Sequence, residues 1–469
     1  MLLLSLLTLL LSCSRREAKD SVDALPEIYP DYIGVTVPPN ICPMNFSVPG
    51  AGHLQAHIEN DKDDALEVSG SDHIEIPVGK WHKLTRGSSE LTFRVSAWSD
   101  EHPDGLAYKP FSIRIATDSI DAWIAYRLLP PGYEGWNRMG IYQRDLTGFD
   151  VEPIIVNSQN NGGCVNCHSF ANYSPRDFTF HARGKNGGTI VMRNGKMKKV
   201  DIKSMSGGRH GSYNIWHPSC RYIAFSSNST HQSFYGQSKD KIEVYDLWSD
   251  LIVYDIEAEK VLQDERFTDS LNLEMFPSFS PDGKWLYFST AKPVFMPIET
   301  DKLNYSIVRV PFDESTGKLG AIDTVWSAFE HGGGTAMMPR LTPDGRYMLF
   351  SLSRCGAFNL YHTESDLCML DLQTGRAVPT DVLNSPRAES YHAWSSNGRW
   401  MIYMSKRFDG RYSRLMLAYW DGKRFHKPFL LPQRNPEDNI QLMMAYNIPE
   451  FIKAPVIVPK DEMAEFFRK

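Results

Sequence analysis

The sequence predicts an all-β chain in which a small N-terminal β-sandwich precedes a six-bladed β-propeller. Three observations lead there: short alternating apolar runs up to about residue 150, a strand–turn–strand unit that recurs four times after residue 210, and an aromatic content of 12%.

Residues 1–12, MLLLSLLTLLLS, are apolar and free of side-chain charge, and Cys13 follows at once. Twelve residues are too few to span a bilayer, which takes about 20. They suit the apolar stretch of a signal peptide, and LLSC has the form of a bacterial lipobox in which Cys13 is diacylated. The absence of Lys or Arg ahead of the run departs from that pattern. Residues 13–31 are polar and read as a tether, with the lipid holding the chain on a membrane of the cell envelope, the outer membrane being the expected one.

Over residues 32–150, Leu91–Trp98 and Phe111–Ala116 alternate apolar and polar with period 2, as half-buried strands do. Pro and Gly punctuate the gaps, and six to eight such strands suit a β-sandwich. From 176 to 455 the pattern is that of a propeller, with 456–469 as a tail. The units are YNIWHPSCRYIAFSSN (213–228), MFPSFSPDGKWLYFSTA (275–291), MMPRLTPDGRYMLFSLS (337–353) and SYHAWSSNGRWMIYMSKR (390–407). Proline presets φ at the second turn position and glycine two residues later accepts a positive φ. Pro218, Pro281 and Pro343 lie 63 and 62 residues apart and Ser396 takes the fourth slot, a period that fits one four-stranded blade with its loops. Material near 176–205 and 410–455 is expected to supply the remaining two blades.

The net charge is −6, and KMKK at 196–199 is the densest basic cluster, which argues against nucleic acid as a partner. No Walker A or G-x-G-x-x-G element supports nucleotide binding. HGGG at 331–334 resembles an esterase oxyanion loop, but no G-x-S-x-G nucleophile elbow accompanies it.

Between the two domains, residues 151–175 carry Cys164, Cys167 and His168 as C-x-x-C-H. Two thiols at this spacing reach the two vinyl groups of one haem, and the adjacent imidazole then ligates the iron. Composition alone gives roughly 0.003 chance occurrences of the pentapeptide, so the motif counts as a signal. A redox dithiol or disulfide is the rival reading, though the βαβ context is absent; zinc lacks a second ligand pair. One covalent haem c is therefore the expected cofactor. His181, thirteen residues on, is the candidate second axial ligand, with Met192, Met197 and Met205 in competition. FTFHARG alternates like a strand, which sets His181 on the opposite face from Phe180 and Ala182.

Cys355 and Cys368 flank a predicted hairpin and are a candidate disulfide. Cys220 stands in the slot that holds Gly283 and Gly345 in sister repeats, and Cys42 stands alone; both read as small buried residues. His217 and His392 occupy repeat positions beside Trp216 and Trp394 and read as hydrogen-bonded structural histidines.

Lipobox, β domain, GGCVNCHSF and the propeller repeats, taken in that order, resemble a family of exported TolB-like proteins common in Bacteroidetes. GIYQRDLTGFD (140–150), FHARGKNGGT (180–189) and AYNIPEF (445–451) share in the resemblance. It implies an envelope lipoprotein with a propeller and one haem-binding motif, and brings no known substrate. Cys220 in place of the turn glycine is a departure.

The leading expectation is a monohaem electron-transfer or redox-responsive lipoprotein whose propeller docks an unidentified envelope partner. The alternatives are a non-redox propeller scaffold for envelope assembly or transport, and a haem enzyme with an open iron face.

Overall fold

The computed structural model describes residues 16–131, 138–269, 271–458 and 460–468; the signal-peptide expectation and Cys13 lie outside them. None of the described helices is long and apolar enough to cross a membrane.

The N-terminal domain is a seven-stranded sheet built around His53–Asn60 and Glu90–Trp98, faced by the two-stranded pair Phe46–Ser47 and His73–Ile74 and by the helix Val78–Thr85. Strict alternation of buried and half-exposed residues along His53–Asn60 matches the period-2 pattern. The expected tether is docked rather than free from Lys19 onward. Asp20–Ser21 pairs in parallel with Leu106–Ala107, and Val22 N donates to Ala107 O at 3.0 Å.

Six sheets form the propeller among the described residues, five of four strands and the fourth of five, where Asp323–Trp326 is added. The first takes Trp123–Leu129, Gly140–Asp145 and Val151–Val156 from the start of the ring and its inner strand, Ala445–Ile452, from the end of the chain. The inner strands of the second to sixth blades are Val165–Phe170, Ser212–Trp216, Leu273–Phe279, Thr335–Leu341 and Glu389–Trp394. They follow one another round the axis, with Ala445–Ile452 closing the ring between the sixth and the second. The expected boundaries therefore shift. The propeller begins at Trp123, not 176; residues 123–156 are blade strands; and 151–175 is no separate segment. The physical reason is that the first blade has no Pro-Asp-Gly turn and pairs strands more than 300 residues apart.

The recurrent turns are built alike. Ser280 Oγ donates to Asp282 Oδ1 at 2.6 Å and accepts from Trp285 N at 3.0 Å; Ser395, Asn397 and Trp400 repeat this at 2.6 and 2.9 Å. Gly283, Gly345 and Gly398 have φ of 72°, 72° and 67°, and Cys220 takes the same left-handed conformation at 60°. The C-terminal residues, expected as a tail, form the helix Lys460–Arg468.

The N-terminal domain packs on the sixth blade. Trp400 Nε1 donates to Asp118 O at 3.0 Å, Tyr32 Oη donates to Leu430 O at 3.3 Å, and one apolar cluster runs across the junction.

Candidate functional site

Cys167 and His168 of the C-x-x-C-H motif sit on the inner strand of the second blade beside the axis, and Cys164 immediately precedes that strand. A regular strand cannot present every side chain to the axis, and each inner strand here breaks register once, with a residue at positive φ in the break. These residues are Cys167, Tyr213, Phe276, Met338, Tyr391 and Ile448, at φ of 52°, 43°, 54°, 59°, 35° and 46°. Such bulges bend a strand and re-aim a side chain. All six line one central cavity. The pentapeptide therefore continues a blade motif. Cys167-His168-Ser169-Phe170 aligns with Tyr213-Asn214-Ile215-Trp216, Phe276-Pro277-Ser278-Phe279, Met338-Pro339-Arg340-Leu341, Tyr391-His392-Ala393-Trp394 and Ile448-Pro449-Glu450-Phe451.

His168 and His392 are thus equivalent. His392 Nε2 donates to Leu349 O at 3.0 Å, and Leu349 pairs with Arg340 on the adjacent blade. Ala125, paired with Glu450, stands in the corresponding place beside His168. The carbonyls of Ala125 and Ile448 act on the His168 ring without forming well-aligned hydrogen bonds, so both ring nitrogens are orphaned. Burial drives the pKa of His168 down to about 3, and the ring is neutral at pH 7.

The two thiols go to different places. Cys167 meets the cavity beside Tyr213 and Phe276, whose tilted rings have centroids 4.8 Å apart, and Phe358 meets Phe276 edge-on at 5.8 Å. Cys164 belongs to an apolar cluster between the first and second blades, with Met139, Phe180 and Met192, roofed by Met463 and Phe467 of the C-terminal helix. That helix is tied down where Asn186 Nδ2 donates to Phe467 O at 2.9 Å and Lys199 Nζ to Phe466 O at 3.2 Å. Burial raises both thiol pKa values, the state of an inert cysteine.

A porphyrin does not fit this arrangement. The central cavity measures about 40 Å³, whereas ligand pockets run to about 300–1,000 Å³. Reaching both thiols would require the C-terminal helix and the aromatic plug to leave.

The second-ligand expectation also fails geometrically. Alternation along Phe178–Ala182 sends Phe178, Phe180 and Ala182 to the cluster shared with the first blade. His181 faces the other way, as its strand pattern predicts, with Nδ1 3.1 Å from Thr189 Oγ1 and its ring 6.2 Å from that of His210. His168 and His181 lie on opposite faces of one sheet and do not bracket a common space. Met192 is core, Met197 packs on the same cluster, and Met205 is exposed. Cys355 and Cys368 are free thiols, not a disulfide. Cys368 pairs with Phe350, and Cys355 lies beyond the end of that strand. His217 and His392 are hydrogen-bonded as expected, His217 between Ser219 and Gly283 O.

Sequence reasoning missed the open face. Tyr222–Phe234 and Ile242–Asp255 of the third blade extend far past their sheet as a strap. Its tip reaches a loop of the fifth blade, where Asp240 Oδ1 accepts from Thr363 N at 2.9 Å and from Thr363 Oγ1 at 2.6 Å. Behind it, His362 Nε2 lies 3.3 Å from Glu243 Oε2, and that carboxylate raises the His362 pKa against burial. The strap walls a cavity of about 580 Å³ at the end of the ring where the inner strands begin. The repeat spacing gave no signal of it, 63 residues here against 62 for the next blade; the difference lies in the strands, which run to 13 and 14 residues.

No family model matches the chain, and no curated protein matches it. Among solved structures it is similar to TolB from Acinetobacter baumannii, at 13% identity and a TM-score of 0.43 over 80% of this chain and 85% of that one. Kuenenia stuttgartiensis hydrazine synthase is similar at 8% identity and a TM-score of 0.43, over 73% of this chain and 48% of that one. The β-propeller domain of the trilobed protease from Pyrococcus furiosus gives 11% and 0.34, over 72% and 80%.

Proposed function

We propose that this chain is a binding propeller held at the cell envelope by a lipid on Cys13, with its C-x-x-C-H motif serving ring closure. The observation that carries the reading is the six-fold repetition of the Cys167-His168 position round a closed axis. A residue pair that recurs as Tyr-Asn, Phe-Pro and Ile-Pro is explained by packing, and packing needs no cofactor. The envelope placing rests on the apolar residues 1–12 and the LLSC that follows. Propellers also serve as scaffolds and docking surfaces, so function resides in the open face and not in the fold.

The competing reading is one covalent haem c on Cys164 and Cys167 with His168 on the iron. One observation favours it, the two orphaned ring nitrogens of His168, and it requires the C-terminal helix and the aromatic plug to leave.

Intact mass after expression in a host that matures c-type cytochromes decides between them. The expected result is lipidated protein without a haem adduct, colourless after denaturation. His168→Asn, which installs the residue of the third blade, should keep the melting temperature within a few degrees. One added haem that disappears in the Cys164→Ala/Cys167→Ala double variant would overturn the structural reading. Lipid label should enter the wild type and be absent from Cys13→Ala.

A further inference from the structure

We infer that the cavity beneath the strap binds a small organic anion, an apolar body that carries a carboxylate or phosphate at one end. The inference rests on the chain being a binding propeller and names what its open face takes.

Size comes first. About 580 Å³ falls in the range of small-molecule sites, whereas the central cavity at Cys167 holds about 40 Å³ and the mouth at the far ends of the inner strands about 310 Å³. The walls are mixed, with Leu129, Ile242 and Leu360 supplying apolar surface and Tyr235 and Tyr361 supplying rings.

Charge decides the ligand class. The chain as a whole is acidic, yet this cavity gathers Lys239, Lys241, Arg387, Lys406 and Arg411 against only Asp240 and Asp409. Both carboxylates are already engaged. Asp240 holds Thr363, and Asp409 Oδ1 accepts from the backbone of Arg411 at 2.6 Å and of Tyr412 at 2.8 Å. Among the described residues, Lys406 and Arg387 have no carboxylate within ion-pairing distance. The Lys406 ammonium lies 5.2 Å from the centroid of the Tyr361 ring, a cation–π contact that positions it without neutralising it. A concave site lined by one sign of charge raises the local concentration of the opposite sign.

A second, independent feature points to a ligand. Asn447 lines the same cavity, is 5% exposed, and its carboxamide oxygen has no hydrogen-bond partner. A buried acceptor left unmade is costly, so a ligand that brings a hydroxyl or amide donor gains there. Arg387 and Lys406 would take the oxyanion, the tyrosines and leucines the body.

Isothermal titration of the full-length protein with 4-phenylbutyrate, phenyl phosphate, inorganic phosphate and the neutral 4-phenylbutan-1-ol tests this. The expected result is one site for the aryl anions, weaker binding of inorganic phosphate, and binding of the alcohol weaker by about tenfold or more. The stronger of the two aryl anions tells carboxylate from phosphate. Lys406→Met and Arg387→Gln should each weaken the aryl anions by about tenfold, and Lys406→Arg should restore them.

Burial holds the Lys406 ammonium down to about 8, with Asp240 and Asp409 opposing it. Affinity should therefore fall between pH 7 and 9 by up to about tenfold per unit, and the fall should vanish in Lys406→Arg. If Lys406→Met does not fold, Arg387→Gln carries the test. Equal binding of the alcohol, no binding of either aryl anion, or unchanged affinity in folded charge-removal variants would overturn the inference. A haem adduct in the mass measurement would overturn the reading of the motif and leave these titrations untouched.

Discussion

His217 Nε2 donates to the carbonyl oxygen of Gly283 across 3.0 Å, which ties the turn of the third blade to the turn of the fourth. A Cβ on residue 283 would stand 2.4 Å from that nitrogen, whereas a Cβ on Gly345 would find Pro281 Cδ at 3.7 Å, an ordinary contact. Both glycines have φ of 72°.

Two alanine substitutions therefore separate backbone strain from a lost contact. Gly345→Ala should cost about 1 kcal/mol, the penalty of a left-handed non-glycine residue. Gly283→Ala should cost about 2–3 kcal/mol, because it also displaces His217 from a buried hydrogen bond. Urea unfolding gives both values, and equal losses would mean that His217 contributes nothing.

Ring closure has its own ion pair. Arg340 Nη2 lies 2.5 Å from Glu450 Oε1 and joins the inner strand of the fifth blade to the C-terminal strand that completes the first. Breaking a buried pair by removing one partner costs about 3–5 kcal/mol. Arg340 is about a quarter exposed, so Glu450→Gln should cost about 1–3 kcal/mol after solvent screening. Replacing both by Met should cost less than Glu450→Gln alone, and a double-mutant cycle measures the coupling. A single variant as stable as wild type would remove the pair from the closure.

Glu274 gives the stability a pH dependence. It is buried on the inner strand of the fourth blade, and burial, with Asp250 and Asp269 nearby, raises its pKa from 4.5 to about 8. Between these values the folded carboxyl keeps its proton while the unfolded one has lost it. Stability should therefore be greatest below about pH 4.5 as far as this group is concerned, and fall as pH rises towards 8, by ~5 kcal/mol at most. Glu274→Gln should flatten this slope in thermal melts at pH 5 and pH 8. An unchanged slope would assign the dependence to other groups.

Particular residues set how far the sequence could be read. Four blades were legible because Pro218, Pro281, Pro343 and Ser396 mark turns made by contiguous chain, and Cys220 was rightly placed in a glycine slot by alignment alone. Two of the inner strands were in plain view as NCHSF and NIPEF. In the first, the cysteines and the histidine drew a chemical reading that masked the repeat.

What the sequence by itself determined is the all-β class, the repeated turns, the face of His181 and the structural roles of His217 and His392, since each depends on residues close in the chain. Tertiary structure alone decided the rest. Ala445–Ile452 pairs with Trp123–Leu129, the C-terminal helix covers Cys164, and the strap reaches Thr363. These are contacts between residues far apart in sequence, whose formation depends on how the ring closes, and no local period or spacing encodes that closure.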